Sequence, residues 1–181
     1  QITSMLLVAM ALYLLFRHVN RLAAAAMVTF VAVAVAIGSL NLLNQYTALT
    51  IATGEDYTRA FGKAGSDALT LLFADMQHNG YYISAMFWGL WLLPLGWLVI
   101  TSGYVPKVLG VLLLIGGVGY LADLFTRFLT PDLGARIGAS LLAPGGIAEL
   151  VFTLWLLVKA VRVPAARQAR VPAGAHPSSG S

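Results

Sequence analysis

The chain contains no cysteine, which removes disulfides, thiolate metal sites and cysteine nucleophiles and leaves the redox compartment open. Charge is nearly as scarce. Asp, Glu, Lys and Arg make up 10% of the 181 residues against 59% hydrophobic, with a mean hydropathy of +0.83. A water-soluble domain needs charged surface on every side, and this composition cannot supply it. The His-Glu-x-x-His zinc pattern is absent, and of three histidines only His78 has acids near it in the chain; His18 falls in a short polar break and His176 near the last residue. The opening Gln1-Ile2-Thr3 shows neither a basic n-region nor a small-residue cleavage site, so the first apolar run is expected to be a helix of the mature protein rather than a secretory leader.

What is present is apolar length. A hydrocarbon core of about 30 Å takes about 20 helical residues to cross, and stretches near that length recur between short polar breaks. Five spans are expected: Ile2 to Phe16, Leu22 to Leu43 with a polar extension towards Ala52, Tyr81 to Thr101, Val108 to Phe125, and Leu142 to Val161. The runs are continuously apolar, whereas barrel strands alternate in polarity every residue, so the fold class is all-α, a polytopic transmembrane helical bundle.

Positive charge orients the bundle. Arg17, Arg21, Lys107, Lys159, Arg162, Arg167 and Arg170 fall on one side, seven in all, against four on the other, Arg59, Lys63, Arg127 and Arg136. The richer side is expected to be cytoplasmic. The net charge of +4 and pI near 9.6 then describe a basic fringe facing anionic headgroups, not a nucleic-acid surface. The bundle is expected to occupy residues 1–163. From residue 164 to 181 Pro, Ala, Arg, Ser and Gly dominate, the composition of a disordered tail. One straight helix from Asp67 to Thr101 would be about 52 Å long, so a bend is expected at His78-Asn79-Gly80, and Pro94 marks a place for a kink.

Small residues recur on helical faces: Gly89 and Gly96 on the third span, Gly110, Gly116 and Gly117 on the fourth, and an Ala-rich second span. Their first meaning is close helix packing; a lining for a substrate path is the alternative.

Any chemistry must lie with the few polar groups among the apolar spans, since each intramembrane ionisable residue costs roughly 2.5 to 3.5 kcal/mol and demands a partner or water. Asn41, Asn44 and Gln45 fall near the outer end of the second span, Asp75 and His78 just before the third, Asp123 near the outer end of the fourth and Glu149 in the outer half of the fifth. Counted from the cytoplasmic ends, Asn41 is about 28 Å up, Asp123 about 26 Å and Glu149 about 18 Å. These seven residues are expected to share an outward-facing pocket for a small ligand or ion. Asp-x-x-His places two ligands on one helix face, and Asp75 and His78 with Glu149 would suit a metal such as zinc, manganese or iron. Any cofactor is left open. The plainer meanings stand beside these. Asp123 with Arg127 at i,i+4 makes an interfacial ion pair, His78 marks a helix break, and Glu149 is a hydrogen-bonded neutral carboxyl or a proton or cation site.

The segments Phe87-Trp88-Gly89-Leu90-Trp91-Leu92-Leu93-Pro94-Leu95-Gly96, Thr101-Ser102-Gly103-Tyr104-Val105-Pro106-Lys107-Val108-Leu109-Gly110, Gly119-Tyr120-Leu121-Ala122-Asp123 and Leu154-Trp155-Leu156-Leu157-Val158-Lys159, with Glu149, resemble the bacterial domain-of-unknown-function 4386 family. The resemblance extends from about Leu6 to Val163 and is most specific in the Ser-Gly-Tyr-Val-Pro-Lys-Val-Leu-Gly loop. It implies a six-span bacterial inner-membrane protein without an established activity. Against that pattern the chain is expected to lack the first helix and the outer loop after it.

Four activities fit these observations: a binding protein for a small ligand or ion, a proton-coupled transporter using Asp123 and Glu149, a membrane-embedded metal-dependent hydrolase, or a structural subunit whose glycine faces matter and whose acids do not. Oligomeric state is left open. Orientation can be measured directly, because the chain has no native cysteine. Single-cysteine variants at His18 and Lys107 are expected to react with a membrane-impermeant maleimide only after the cytoplasmic side is opened; labelling of Lys107→Cys in intact cells reverses the topology.

Overall fold

A computed structural model describes residues 2–168, with side chains described for residues 4–159. Five helices follow one another in an up-and-down path: α1 (Ile2–Phe16), α2 (Arg21–Thr53), α3 (Glu55–Ser102), α4 (Lys107–Leu129) and α5 (Pro131–Gln168). The connections are short because the local chemistry ends each helix abruptly. After α1 the chain turns through His18, and Asn20 caps α2 by accepting a hydrogen bond from the Ala23 amide at 2.9 Å. Gly54 alone separates α2 from α3. At the far end of α3 Gly103 adopts a left-handed conformation at φ 73°, which terminates the helix, and Pro106 precedes the first turn of α4. Pro131 opens α5, where its missing N–H is harmless.

Four helices, Arg21–Thr53, Glu55–Ser102, Lys107–Leu129 and Pro131–Lys159, are long and apolar enough to cross a membrane. α1, at 15 residues, is shorter than the roughly 20 a crossing takes. The molecule is an all-α bundle of transmembrane type. α5 reaches Gln168, into the segment whose composition reads as a tail, and the remaining tail lies outside the described residues.

The long third helix corrects the expected bend. Backbone geometry is helical through His78, Asn79, Gly80 and Pro94, and the break falls instead at Gly62, with φ 70° and ψ 166°. Gly80 has another use. A Cβ there would run into the side chain of Asn41 on α2, so the missing side chain lets two helices touch rather than ending one. The length is accommodated by projection: α2, 33 residues long, and the 40 residues from Lys63 to Ser102 measure about 50 and 60 Å, so this pair extends well past a 30 Å hydrocarbon core.

Neighbours in sequence are neighbours in space, α1 on α2, α2 on α3, α3 on α4 and α4 on α5. The apolar core gathers at one end, where Phe16, Met27, Leu92, Leu98, Leu113 and Phe152 interlock. Along α3 and α4 the backbones approach at two glycine pairs, each spaced seven residues along its helix. A Cβ on Gly96 would lie 2.7 Å from the Gly110 carbonyl oxygen and one on Gly110 2.7 Å from that of Gly96; for Gly117 and Gly89 the values are 2.9 and 3.1 Å. Such closeness maximises dispersion where lipid offers no hydrophobic drive. Gly96→Val is therefore expected to lower stability by about 1 to 3 kcal/mol through overpacking. In contrast, Gly146→Ala, with nothing within 4 Å of the new atom, should leave it nearly unchanged. Equal unfolding midpoints for the two variants in detergent would remove the glycine seam as a determinant of the fold.

Candidate functional site

The polar groups sit at the end opposite the core, and α3, α4 and α5 position them by helical repeat. His78 and Tyr82 are one turn apart on α3, and Asp123 and Arg127 one turn apart on α4. Arg127 Nε donates to both carboxylate oxygens of Asp123 at 2.9 Å. The carbon of the guanidinium lies 4.7 Å from the centroid of the Tyr82 ring, a cation–π stack. The Tyr82 hydroxyl and His78 Nε2 share a hydrogen bond of 3.1 Å, with their rings edge to face at 4.8 Å. Asp123, Arg127, Tyr82 and His78 thus form one chain running from the bundle interior to its surface.

Glycine on α5 makes the room. A Cβ on Gly134 would press on Arg127 Cγ at 2.6 Å, and one on Gly138 would strike both Arg127 Nη2 and Asp123 Oδ1. The carboxylate is nearly buried, its side chain 4% exposed, while that of Arg127 is 24% exposed. Beside the pair opens a cleft of about 270 Å³ lined by His78, Asn79, Tyr82, Arg127, Phe128 and Pro131. Among the described residues no acidic side chain lines it.

The seven residues expected from sequence do not converge on one pocket. Asp123 and His78 belong to the chain just described. Asn41 and Asn44 form a second group on the α2 side of α3: Asn44 Nδ2 donates to Asn41 Oδ1 at 3.0 Å, and Asn41 Nδ2 donates to the Gln77 carbonyl at 2.7 Å. Gln45 and Asp75 are exposed, with no hydrogen-bond or ion-pair partner among the described residues. Glu149 is half-buried and lies at another depth. Gly138 marks the level of Asp123 on α5, and the eleven residues from there to Glu149 place it about 16 Å further towards the core. Glu149 therefore does not share a pocket with Asp123, because depth counted from an assumed cytoplasmic boundary differs from depth set by packed neighbours. Among the described residues no three of His, Asp and Glu gather to hold a metal ion, so Asp75, His78 and Glu149 do not make a ligand set.

Tyr82 and Asn79 were not among the expected site residues, and Arg127 was read only as a partner for Asp123. The signal for Tyr82 was its i,i+4 spacing from His78. Nothing in the spacing alone tells that α4 brings Arg127 onto its ring.

A family model described as a domain of unknown function, DUF4386, matches residues 1–160. The chain is similar to an uncharacterized protein of Archaeoglobus fulgidus, 38% identical over 74 residues. That alignment covers 41% of this chain and 42% of the archaeal protein, so the chain spans less than half of the relative it matches. No solved structure matches.

Asp123→Ala strands a partly buried guanidinium and is expected to cost about 3 kcal/mol, whereas Asp123→Leu combined with Arg127→Met should recover much of that loss. Chemical unfolding of the set in one detergent provides the comparison. A loss below about 1 kcal/mol for the single variant would place the pair with solvated surface pairs.

Proposed function

The chain belongs to the DUF4386 family, a family defined without an activity, and from the cleft geometry we propose that it binds a small oxyanion, of the carboxylate or phosphate class, at the outer end of the bundle. The observation that carries this reading is Arg127, held from behind by Asp123 and from one face by Tyr82. Nε is engaged, which leaves the donors of the two terminal amino groups, and a guanidinium so fixed matches the planar fork of an oxyanion. His78 and Asn79 add hydrogen-bonding groups on the facing wall. Pro131 begins a long helix at the same cleft, and the positive end of its dipole favours an anion. With Asp123 neutralising Arg127, binding is selective for geometry rather than driven by net charge.

We further infer that the cleft faces outwards from a bacterial inner membrane and that the segment after Lys159 is cytoplasmic, on the seven-to-four distribution of basic residues. The lipid bilayer is then the chain's standing partner. A proton-coupled transporter is less well supported, because a through path would cross Leu92, Leu95, Leu98 and Leu113, all 0% exposed. A metal-dependent hydrolase lacks a ligand set among the described residues, and a purely structural role leaves the cleft without a use.

Purified full-length protein should gain thermal stability from inorganic phosphate or acetate and not from matched chloride. His78→Gln, at an exposed position, should weaken the response several-fold with the ligand-free midpoint unchanged, and Arg127→Gln should abolish it. Glu149→Gln should respond as wild type; loss of the response there would favour the proton-coupled reading. A wild-type protein indifferent to both anions overturns the proposal.

A further inference from the structure

We propose that a groove between α1 and α5, at the basic end of the bundle and remote from the outer cleft, holds an anionic phospholipid. α1 packs on α2 and α5 on α4, and among the described residues no extensive interface joins α1 to α5. Between them lies a groove of about 500 Å³, walled by Leu15, Val105, Trp155 and Leu156 with His18, Tyr104 and Lys159 around them. Val105 at its base is 4% exposed and belongs to the core, so the groove is seated on rigid packing. In a bilayer an apolar trough on the flank of a bundle is filled by an acyl chain, since an empty gap forfeits the dispersion contacts of its walls.

The polar rim selects the headgroup. Lys159 Nζ stands 5.7 Å from the centroid of the Trp155 ring, which holds the ammonium beside the aromatic wall. Tyr104 O–H and His18 Nε2 are hydrogen-bonded to each other and place two more polar groups there. Trp and Tyr settle at headgroup level, with an apolar body inward and a polar tip in water. Charge complementarity then decides between anionic and zwitterionic lipid. No acid offsets Lys159, since none of the seven acidic residues lies in the turn after α1, in the α3–α4 loop or after Lys159. Glu149, the acid nearest in sequence to Lys159, is ten residues before it, about 15 Å along the helix. A phosphodiester without a compensating choline or ethanolamine meets uncompensated positive charge.

The test uses full-length protein in a neutral detergent with phosphatidylglycerol and phosphatidylcholine of identical chains, their binding measured by native mass spectrometry. Wild type should retain phosphatidylglycerol in preference. Lys159→Gln should bind it about five-fold more weakly, as for loss of one cation near the surface, with phosphatidylcholine unaffected. Lys107→Gln, outside the groove, should keep the preference. Brominated acyl chains should quench wild type more than Trp155→Phe. Equal affinity for the two lipids overturns the proposal, as do equal losses from Lys107→Gln and Lys159→Gln, which mean a diffuse basic fringe. Quenching that does not depend on Trp155 also overturns it, because another part of the protein then fills the groove.

Discussion

The close approach of helix backbones at glycine is the constraint on which the remaining structure depends. Gly89 against Gly117 and Gly96 against Gly110 bring α3 onto α4, and Gly116 against Gly145 brings α4 onto α5. In lipid the association of helices has no hydrophobic drive, so close packing and interhelical hydrogen bonds must supply it. The same device continues into the polar end. Gly134 and Gly138 leave space for Arg127 and Asp123, so the seam that packs the bundle also holds the ion pair.

Polarity is sorted along the bundle axis. Large apolar side chains such as Phe16, Leu92, Leu98 and Leu113 fill the end bearing His18 and Lys107, while Asp123, Arg127, Tyr82 and His78 run inward from the opposite end. A carboxylate and a guanidinium beneath the surface are tolerable there because each answers the other, with the aromatic face of Tyr82 covering the cation. This coupling makes Arg127 a fixed group rather than a mobile one, and a fixed donor can recognise a ligand. Between α2 and α3, Asn41 Nδ2 donates to the Gln77 carbonyl while its Oδ1 accepts from Asn44, and Ser84 Oγ donates to the Ala34 carbonyl at 3.0 Å.

The sequence by itself determined the class of fold. Hydropathy demands spanning helices because lipid satisfies no backbone group, and Asn20, Gly54, Gly103 and Pro131 end or begin helices through local geometry that needs no partner. The i,i+4 pairing of Asp123 with Arg127 was legible for the same reason, since both belong to one helix. Only the tertiary structure decided which groups meet between helices. It put His78 and Tyr82 with Arg127, sent Asn41 and Asn44 to the other face of α3, left Asp75 in solvent and separated Glu149 by depth. It also moved the break in α3 from Gly80 to Gly62. A glycine reads alike in sequence whether it bends a backbone or admits a neighbour, and the difference is set by the atoms of another helix, which local spacing does not contain.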